Sequence, residues 1–386
     1  MLLATATACR VAEVGSEVGA PLRAGPARDP WQHPFPWDSI WNVPVGTLAR
    51  TVPAGLGRFG DRFGPDEDIL LLDPHAPVVE LGRTDAEWDA TRTRCGSITT
   101  AGGPLARVRV PTGFSTDPGY LGRTPNHAAA LLRPDGRTVV ETQPFHRCGP
   151  GGPAVSAYQW GIVDPRTDDG IAGSHGGSGM SALGGTIRLG EWVPGGRIDH
   201  ALKIEVDCAR WCTYDPDDTT PGYRWPAQKA DDAAADRYGG TGPALEMGAL
   251  LALPPDFDVD GLRTEAARVL AVALRDFGAY LVDDTAGPTV AVAVEWSDRG
   301  RVVDEFAATW GFRLDDQRTT GCVDDSASCA FLTDVGGIVA ALVVVDDNAP
   351  GRVGGAGPRR APCAGPFLDG TGGAPRGCGT AGVAAR

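Results

Sequence analysis

Residues 173–181, with the sequence GSHGGSGMS, form the densest group of side chains that could do chemistry. A histidine flanked by serines could supply a general base, a nucleophile or contacts to sugar hydroxyls, and glycines let a ligand approach the backbone. The nucleophile elbow of α/β-hydrolases needs a glycine two residues after the serine, whereas Met180 follows Ser178 at that spacing. We take His175 as a catalytic candidate and Ser178 as a substrate-binding candidate, against the alternative of a glycine-rich turn without chemistry.

Two shorter motifs resemble cofactor or metal sites but lack the context that such sites need. Residues 177–182 match the GxGxxA pattern of dinucleotide binding, yet no strand is predicted directly before them, so no cofactor is predicted. The acidic turn DPDD at residues 215–218 lacks the glycine and the final glutamate of an EF-hand calcium loop. We interpret it as a solvated turn and predict no metal site.

Acidic side chains in or beside predicted strands are candidates for glycoside hydrolysis, which needs two carboxylates facing each other across a cleft. Glu141 lies in a predicted strand, Glu246 precedes an apolar run, and Asp283 ends another. Acidic residues in apolar surroundings are more informative than acidic residues in loops. The three join the catalytic candidates, although the sequence does not pair them.

The predicted strand at residues 201–206 suggests two further candidates. His200 shares the strand parity of the apolar residues that follow it, so its side chain is expected to face the core. It is either a catalytic residue or a hydrogen-bonded core histidine. Lys203 has the opposite parity, and we take it as a substrate-binding candidate.

Aromatic residues offer flat surfaces on which sugar rings stack. Tyr223 and Trp225 follow the acidic turn, and Trp41 lies in the proline- and tryptophan-rich segment 34–44. We expect these three side chains to contact substrate, with packing in the core as the alternative.

Composition limits the class of partner. The chain has 386 residues, of which 42% are hydrophobic and 22% charged, as is typical of a folded globular protein. Its net charge of −14 disfavours nucleic acid and anionic lipid, and suits a neutral or cationic ligand. No apolar stretch approaches the roughly 20 residues of a transmembrane helix. The sequence carries no signal of oligomeric state.

Nine cysteines indicate an oxidising compartment, and no zinc-binding spacing is present. Close spacing predicts three disulfides, which leaves Cys95 to pair with Cys148. The residues ATAC at positions 6–9 resemble a lipobox, which predicts an extracellular or cell-surface protein lipidated at Cys9; a free Cys9 in a frayed terminus is the alternative. The three closely spaced pairs are Cys208 with Cys212, Cys322 with Cys329, and Cys363 with Cys378.

The hydrophobic pattern predicts a mainly β protein with minor α content, a single compact β-sandwich or barrel-like domain with one prominent amphipathic helix. The helix is expected from Thr264, its N-cap, to just before Gly278. Residues 1–30 read as an export leader or flexible segment, 31–350 as the domain, and 351–386 as a Gly/Pro-rich tail. Strands are predicted at 105–110, 128–132, 138–142, 186–189, 201–206, 248–253, 279–282, 290–294 and within the apolar run 338–345.

Several segments resemble, in the same order, a largely uncharacterised family of secreted bacterial proteins. The resemblance covers roughly residues 34–350 and implies a single domain, export from the cell and an association with carbohydrate processing, but no catalytic residue. Asn126 and His127 lie in one of the matching motifs, and we add them to the substrate-binding candidates. The matching segments are PWDSIWN (36–42), TPNHAA (124–129), residues 185–203, YRWPA (223–227), residues 246–254 and FGAYLVDD (277–284).

These observations lead to one leading hypothesis and one rival. The leading hypothesis is a secreted glycoside hydrolase or polysaccharide lyase that acts on an extracellular polysaccharide or oligosaccharide. The rival is a non-catalytic glycan-binding or adhesion protein at the cell surface.

Overall fold

A computed structural model of the chain describes residues 25–57, 62–89, 91–116, 126–314, 322 and 326–373. Strands predominate over helices, so the predicted mainly β class is confirmed. The elements in chain order are β1 (Thr51–Pro53), β2 (Arg62–Leu71), β3 (Val78–Thr84), β4 (Ile98–Thr99), β5 (Ala106–Arg109), β6 (Ala129–Leu132), β7 (Val139–Gln143), β8 (His146–Arg147), β9 (Ala154–Ser156), β10 (Tyr158–Val163), β11 (Ala172–His175), β12 (Leu202–Val206), α1 (Ala234–Arg237), β13 (Leu250–Ala252), α2 (Glu265–Asp276), β14 (Ala279–Asp284), β15 (Thr289–Ser297), β16 (Gly300–Arg301), α3 (Val302–Trp310), α4 (Ala327–Ala341) and β17 (Val343–Val345).

Within the described residues the larger sheet has eleven strands, with the order β1-β17-β13-β14-β12-β15-β2-β6-β7-β10 and β16 paired to β15. It is mixed, because β2 is parallel to both β15 and β6, and β12 is parallel to β14. The central strand β15 is buried over most of its length, as expected of a strand covered on both faces. A smaller sheet contains, in the part of the chain that is described, the five strands β3, β4, β5, β8 and β9.

The two faces of the central strands differ in chemistry. On one face, Val290, Val292 and Val294 of β15 belong to the main hydrophobic core. The other face carries the alternate residues, among them the acidic side chains of β2 and β12. We call it the acidic face; it carries Asp66, Asp68, Lys203, Glu205, Ala291, Ala293 and, farther along the sheet, Glu141.

Several local predictions agree with the structure. Strands β6 and β7 pair antiparallel around residues 134–136, as the turn sequence Pro-Asp-Gly predicts. Helix α2 spans the predicted residues, with Thr264 at its N-cap. The hydroxyl of Thr264 does not cap its own helix but donates to Asp334 of α4, 2.8 Å away, which holds the two helices together.

One predicted strand is wrong, and the apolar run near the end of the chain is a strand only in part. Residues 186–189 form a single bridge, from Ile187 to Val294, and not a hairpin with β12, because both edges of β12 are already paired with β14 and β15. The apolar run 338–345 is mostly helix: α4 ends at Ala341, and only Val343–Val345 is a strand. Helix α4 is apolar on most sides and contains Gly336 and Gly337, so its sequence lacks an amphipathic pattern.

Disulfides join the predicted cysteines wherever both partners are described: Cys95–Cys148, Cys208–Cys212 and Cys322–Cys329. Cys363 is also disulfide-bonded, while its predicted partner Cys378 and the lipidation candidate Cys9 lie outside the described residues. None of the helices in the described ranges has the length and hydrophobicity needed to cross a bilayer.

The beginning and end of the described chain pack together. The guanidinium of Arg28 donates to the carbonyl of Gly365 at 2.7 Å and stacks over the ring of Phe367, 4.1 Å from its centroid. Arg360 donates to the carbonyl of Leu253 beside α2. The Gly/Pro-rich segment up to residue 373 is therefore bound to the protein body by more than its disulfide.

Candidate functional site

The candidate site is a group of one histidine and two carboxylates on the acidic face. Asp66 comes from β2, Glu205 from β12, and His175 from the end of β11. Nε2 of His175 lies 3.5 Å from Oδ2 of Asp66 and 3.9 Å from Oε1 of Glu205. One donor atom from each residue lies within 4.8 Å of the other two. We call these three residues the acidic cluster.

The strand register explains why the two carboxylates meet. Ala293 of β15 pairs with Asp66, and Ala291 of the same strand pairs with Glu205. These alanines stand between the acidic residues, and their single methyl groups leave room for longer side chains to meet above the sheet. Larger residues at these positions would fill that space.

An ion pair lies directly beside the cluster. Nζ of Lys203 is 2.7 Å from Oδ2 of Asp68, and both side chains are fully buried. Thr186 donates to the same oxygen at 2.7 Å, and Lys203 also donates to the carbonyl of Ala182 at 2.9 Å. The other oxygen of Asp68, Oδ1, lies 3.5 Å from Nε2 of His175. Lys203 therefore supports Asp68 beneath the cluster.

Glu141 anchors the segment that carries His175. Its Oε2 accepts hydrogen bonds from the backbone amides of Ser174 and Ala182, at 2.9 and 2.8 Å. Its Oε1 accepts from the hydroxyl of Ser181 at 2.6 Å. Because one buried carboxylate binds both ends of the segment, it fixes where His175 stands.

The glycines of this segment allow the protein's own carboxylates to approach the backbone. A Cβ at Gly173 would lie 2.0 Å from Oε2 of Glu141, and one at Gly176 would lie 1.8 Å from Oδ2 of Asp283. Gly176 also has a φ of +36°, which disfavours any side chain. The glycine-rich sequence thus serves close packing against internal acids.

The electrostatic environment shifts the pKa values of the two carboxylates of the cluster in opposite directions. Burial, followed by the negative charges of Asp66 and Asp283, raises the pKa of Glu205 well above its ordinary value. Burial also acts to raise the pKa of Asp66, but the neighbouring imidazole of His175 outweighs it and holds the pKa below its ordinary range.

Asp283 borders the cluster at the end of β14. Its Oδ1 accepts from the backbone amides of Gly177, at 2.9 Å, and Asp284, at 2.9 Å. Burial and then the charge of Asp231 raise the pKa of Asp283 to about 7. Asp231 in turn accepts a hydrogen bond from the hydroxyl of Tyr238 at 2.6 Å.

The acidic cluster and the neighbouring Asp68 contain buried polar atoms that no hydrogen bond satisfies within the described part of the chain. They are Oδ1 of Asp68, Oε1 of Glu205 and both ring nitrogens of His175. Buried polar atoms normally have a partner, so an unpartnered group in a native protein requires an explanation. At Glu141, by contrast, both oxygens are satisfied.

Among the catalytic candidates from the sequence, the structure brings His175 and Asp283 together. Glu141 lies on the same face but acts as an anchor, and Lys203, a binding candidate, lies beneath the cluster. Ser178 is fully buried, and its hydroxyl donates to the carbonyl of His175 at 3.3 Å, so it braces the turn.

His200 belongs to a different group. Its Nε2 lies 3.2 Å from Oε2 of Glu191, whose other carboxylate oxygen lies 3.1 Å from Nε2 of His33. Burial would raise the pKa of Glu191, but the charges and hydrogen bonds of His200 and His33 lower it to about 2. This buried carboxylate therefore ties two histidines together.

Glu246 lies apart from the acidic cluster, next to the turn that holds Tyr223 and Trp225. Burial is the main cause that raises the pKa of Glu246 to about 7, against the lowering effect of Arg224. Tyr223 and Trp225 are only partly buried and pack against the main core. Glu246, Tyr223 and Trp225 are therefore neighbours, but none of the carboxylates of the acidic cluster lies with them.

The remaining binding candidates lie elsewhere. Trp41 is enclosed in the core, where its indole NH donates to the carbonyl of Gly170 at 2.7 Å. Asn126 is exposed. His127 is buried, with Nδ1 3.1 Å from the carbonyl of Glu67 and its ring packed edge-on against Trp296.

Sequence reasoning missed Asp66 and Asp68 and did not take Glu205 as a site residue. The Asp-Glu-Asp run at residues 66–68 follows a proline, which is typical of a loop rather than a central strand. The usable signal was the parity of β12, which sends Lys203 and Glu205 to the same face.

A groove runs along the edge strand β10, outside the segment that carries His175. Its volume is about 640 Å³. One wall is formed by Trp160 and Ile162 of β10, and the other by Gly173, Gly179 and Gln228. The groove therefore shares the backbone of residues 173–179 with the acidic cluster.

Comparison of the chain with protein-family models, with curated proteins and with solved structures finds no match.

Proposed function

We propose that this protein is a secreted carbohydrate-active enzyme, a glycoside hydrolase or polysaccharide lyase, whose reaction centre is the acidic cluster. The observation that carries the proposal is the meeting of Asp66, Glu205 and His175 on one sheet face, with polar atoms that no described residue hydrogen-bonds. Groups that serve only the fold are normally satisfied, as Glu141 is. Groups of this kind supply general acids, general bases or ligands in enzymes that cleave glycosidic bonds.

Two further features support a glycan as the substrate. The groove along β10 combines an aromatic side chain, Trp160, with the polar side chains of Asp168 and Gln228. Sugar-binding grooves use this mixture, because the apolar ring face stacks while the hydroxyls are hydrogen-bonded. The groove borders the backbone on which His175 is mounted, so a bound chain would lie beside the cluster.

The extracellular location is supported by the disulfides. They persist in oxidising compartments and are rare in the cytosol. The resemblance of several segments to a family of secreted bacterial proteins is a further reason to propose this location.

The test is a panel of neutral and uronate-containing polysaccharides, incubated with the purified full chain. Hydrolysis would release new reducing ends, and lyase action would also release products that absorb as unsaturated uronates. We expect Asp66→Asn and Glu205→Gln to reduce turnover by about 10²-fold or more, the usual contribution of an acid–base group. Glu80→Gln, which changes an exposed carboxyl on β3, is the matched control and should keep wild-type turnover.

Two results would count against the proposal. One is turnover that survives both cluster substitutions in folded protein. The other is the absence of product from every polysaccharide of the panel.

A non-catalytic glycan-binding protein is the second candidate, because exposed aromatic residues stand beside the groove strand. Trp88 is 44% exposed and stacks on Tyr158 of β10, with ring centroids 5.7 Å apart. Retention of a polysaccharide without release of product, reduced by Trp88→Ala and unaffected by Glu205→Gln, would favour this function over catalysis.

A further inference from the structure

We infer that Asp66, His175 and Glu205 form a binding site for one divalent transition-metal ion, with Asp68 as an adjacent fourth carboxylate. The inference deepens the proposed function, since the ion would stand at the same reaction centre, and any catalytic part it plays rests on that proposal. The binding itself does not depend on catalysis.

The spacing of the donor atoms fits an ion better than it fits hydrogen bonds. Nε2 of His175 lies 3.5 Å from Oδ2 of Asp66, 3.5 Å from Oδ1 of Asp68 and 3.9 Å from Oε1 of Glu205. These distances are too long for strong hydrogen bonds. Ligand atoms placed about 2.1 Å from a common ion stand roughly 3–3.5 Å from one another in tetrahedral or octahedral sites.

The same atoms are buried and unpartnered. Only 1% of the His175 side chain is exposed, and neither of its ring nitrogens has a hydrogen-bond partner among the described residues. Oε1 of Glu205 and Oδ1 of Asp68 are in the same condition. Three of these unsatisfied atoms, Nε2 of His175, Oε1 of Glu205 and Oδ1 of Asp68, lie close together, and a cation is a partner that all three can share.

The charge of the site also calls for a cation. The side chains of Asp66, Asp68 and Glu205 bring three carboxylates together, whereas Lys203 pairs directly with Asp68 alone. Buried charges are costly unless they are paired or coordinate a metal. About one third of the Asp66 side chain is exposed, at 34%, which gives an ion a route from solvent to the cluster.

The donor set indicates the class of ion. One imidazole nitrogen with carboxylate oxygens, and no thiolate, favours Mn²⁺ or Zn²⁺ over Ca²⁺ and Mg²⁺, which prefer oxygen ligands alone. Such an ion lowers the pKa of a bound water or binds an oxygen of the substrate. It would also offset the negative charge that otherwise repels a uronate.

Metal binding is tested on the full chain with intact disulfides, freed of metal with a chelator and then dialysed. Calorimetric titration with Mn²⁺ and Zn²⁺ should give one site per chain, and Ca²⁺ and Mg²⁺ should bind at least about tenfold more weakly. Pulsed electron paramagnetic resonance of the Mn²⁺ complex should show coupling to an imidazole nitrogen. His175→Gln should remove that coupling.

Matched variants separate binding from folding. Asp66→Asn should weaken binding of either ion by about 10²-fold while the circular dichroism spectrum stays as in the wild type. Glu80→Gln should bind as the wild type does. Wild-type protein without a stoichiometric Mn²⁺ or Zn²⁺ site, or wild-type affinity in folded Asp66→Asn, would overturn the inference.

The outcomes also distinguish the ion from the function. A stoichiometric ion without turnover of any polysaccharide would leave the metal site standing and remove the proposed function. Full turnover in protein shown to be metal-free would remove the ion from the reaction and leave the proposed function standing.

Discussion

Glu141 and Glu205 are both buried carboxylates on the acidic face, and their surroundings are opposite. Around Glu141 the structure is closed: two backbone amides and one hydroxyl satisfy the carboxylate, and the glycine at position 173 lets it lie against the chain. Around Glu205 it is open: Oε1 has no hydrogen-bond donor in the described ranges, and the nearest charged groups include two further carboxylates.

The contrast separates two uses of a buried acid. A carboxylate whose oxygens are all satisfied holds a segment in place and needs nothing further. A carboxylate that is buried among other acids raises the free energy of the folded state unless a proton, a cation or a ligand joins it. Both kinds meet in one segment here, because the residues that Glu141 anchors present His175 to the open region.

The largest expected effect is a loss of stability on substitution of Glu141. Glu141→Gln replaces one acceptor oxygen with an NH₂ group that faces donors, so the backbone amides or the Ser181 hydroxyl lose a partner. We expect the free energy of unfolding to fall by about 2–3 kcal/mol, the usual range for hydrogen bonds to a buried charged group. Urea denaturation with the disulfides intact measures it, with Glu80→Gln as the control.

An unchanged free energy of unfolding in Glu141→Gln would show that the anchor is dispensable. Glu141 would then not be a structural anchor, and its contrast with Glu205 would not hold.

Glu246 provides an intermediate case, a buried carboxyl outside both regions. Burial raises its pKa from 4.5 to about 7, so the folded state favours the protonated form. Its contribution to stability is complete below about pH 4.5 and is lost as the pH rises through 7. Because solvent still reaches Glu246 and screens part of its charge, we expect a loss of about 1–2 kcal/mol across that range.

The measurement is the free energy of unfolding of the wild type minus that of Glu246→Gln, followed from pH 4 to pH 8. The difference should fall with rising pH, because glutamine does not ionise. A difference that stays constant would mean that Glu246 has the same pKa in the folded and unfolded states, against the expectation from its burial.

How much of this could be read from the sequence depends on how local the signal is. The β6–β7 hairpin and helix α2 were predicted, since a turn sequence and a periodic apolar face are contained within each segment. The parallel pairing of β2 with β15 was not, because the partners are separated by more than two hundred residues and β2 contains a proline. The sheet tolerates Pro65 because β6 pairs with β2 only from Ile69 onward, so one edge of β2 has no strand partner among the described residues at the proline.

The site follows the same rule. The histidine in the glycine-rich segment stands out by its neighbours in sequence, and Asp283 by its place at a strand end. Asp66 and Glu205 become site residues only through the register of β15, which places an alanine opposite each. Strand parity predicted the face on which Glu205 lies. No local pattern predicts that β2, which carries Asp66, is the second strand from β12 in the sheet.

The smallest expected effect is the one that most sharpens the comparison. In chelator-treated protein, Glu205→Gln removes a carboxyl that is surrounded by acids and keeps its shape. We expect the free energy of unfolding to stay unchanged or to rise by about 1 kcal/mol, because a buried acid beside other carboxylates, with no hydrogen-bond donor to Oε1 among the described residues, is costly to the folded state. Urea denaturation in chelator measures it beside Glu141→Gln. A loss as large as that of Glu141→Gln would mean that Glu205 is a second structural anchor, since only a satisfied carboxylate can lose hydrogen bonds; an unchanged or higher value would show that the fold holds this acid for a purpose other than its own stability.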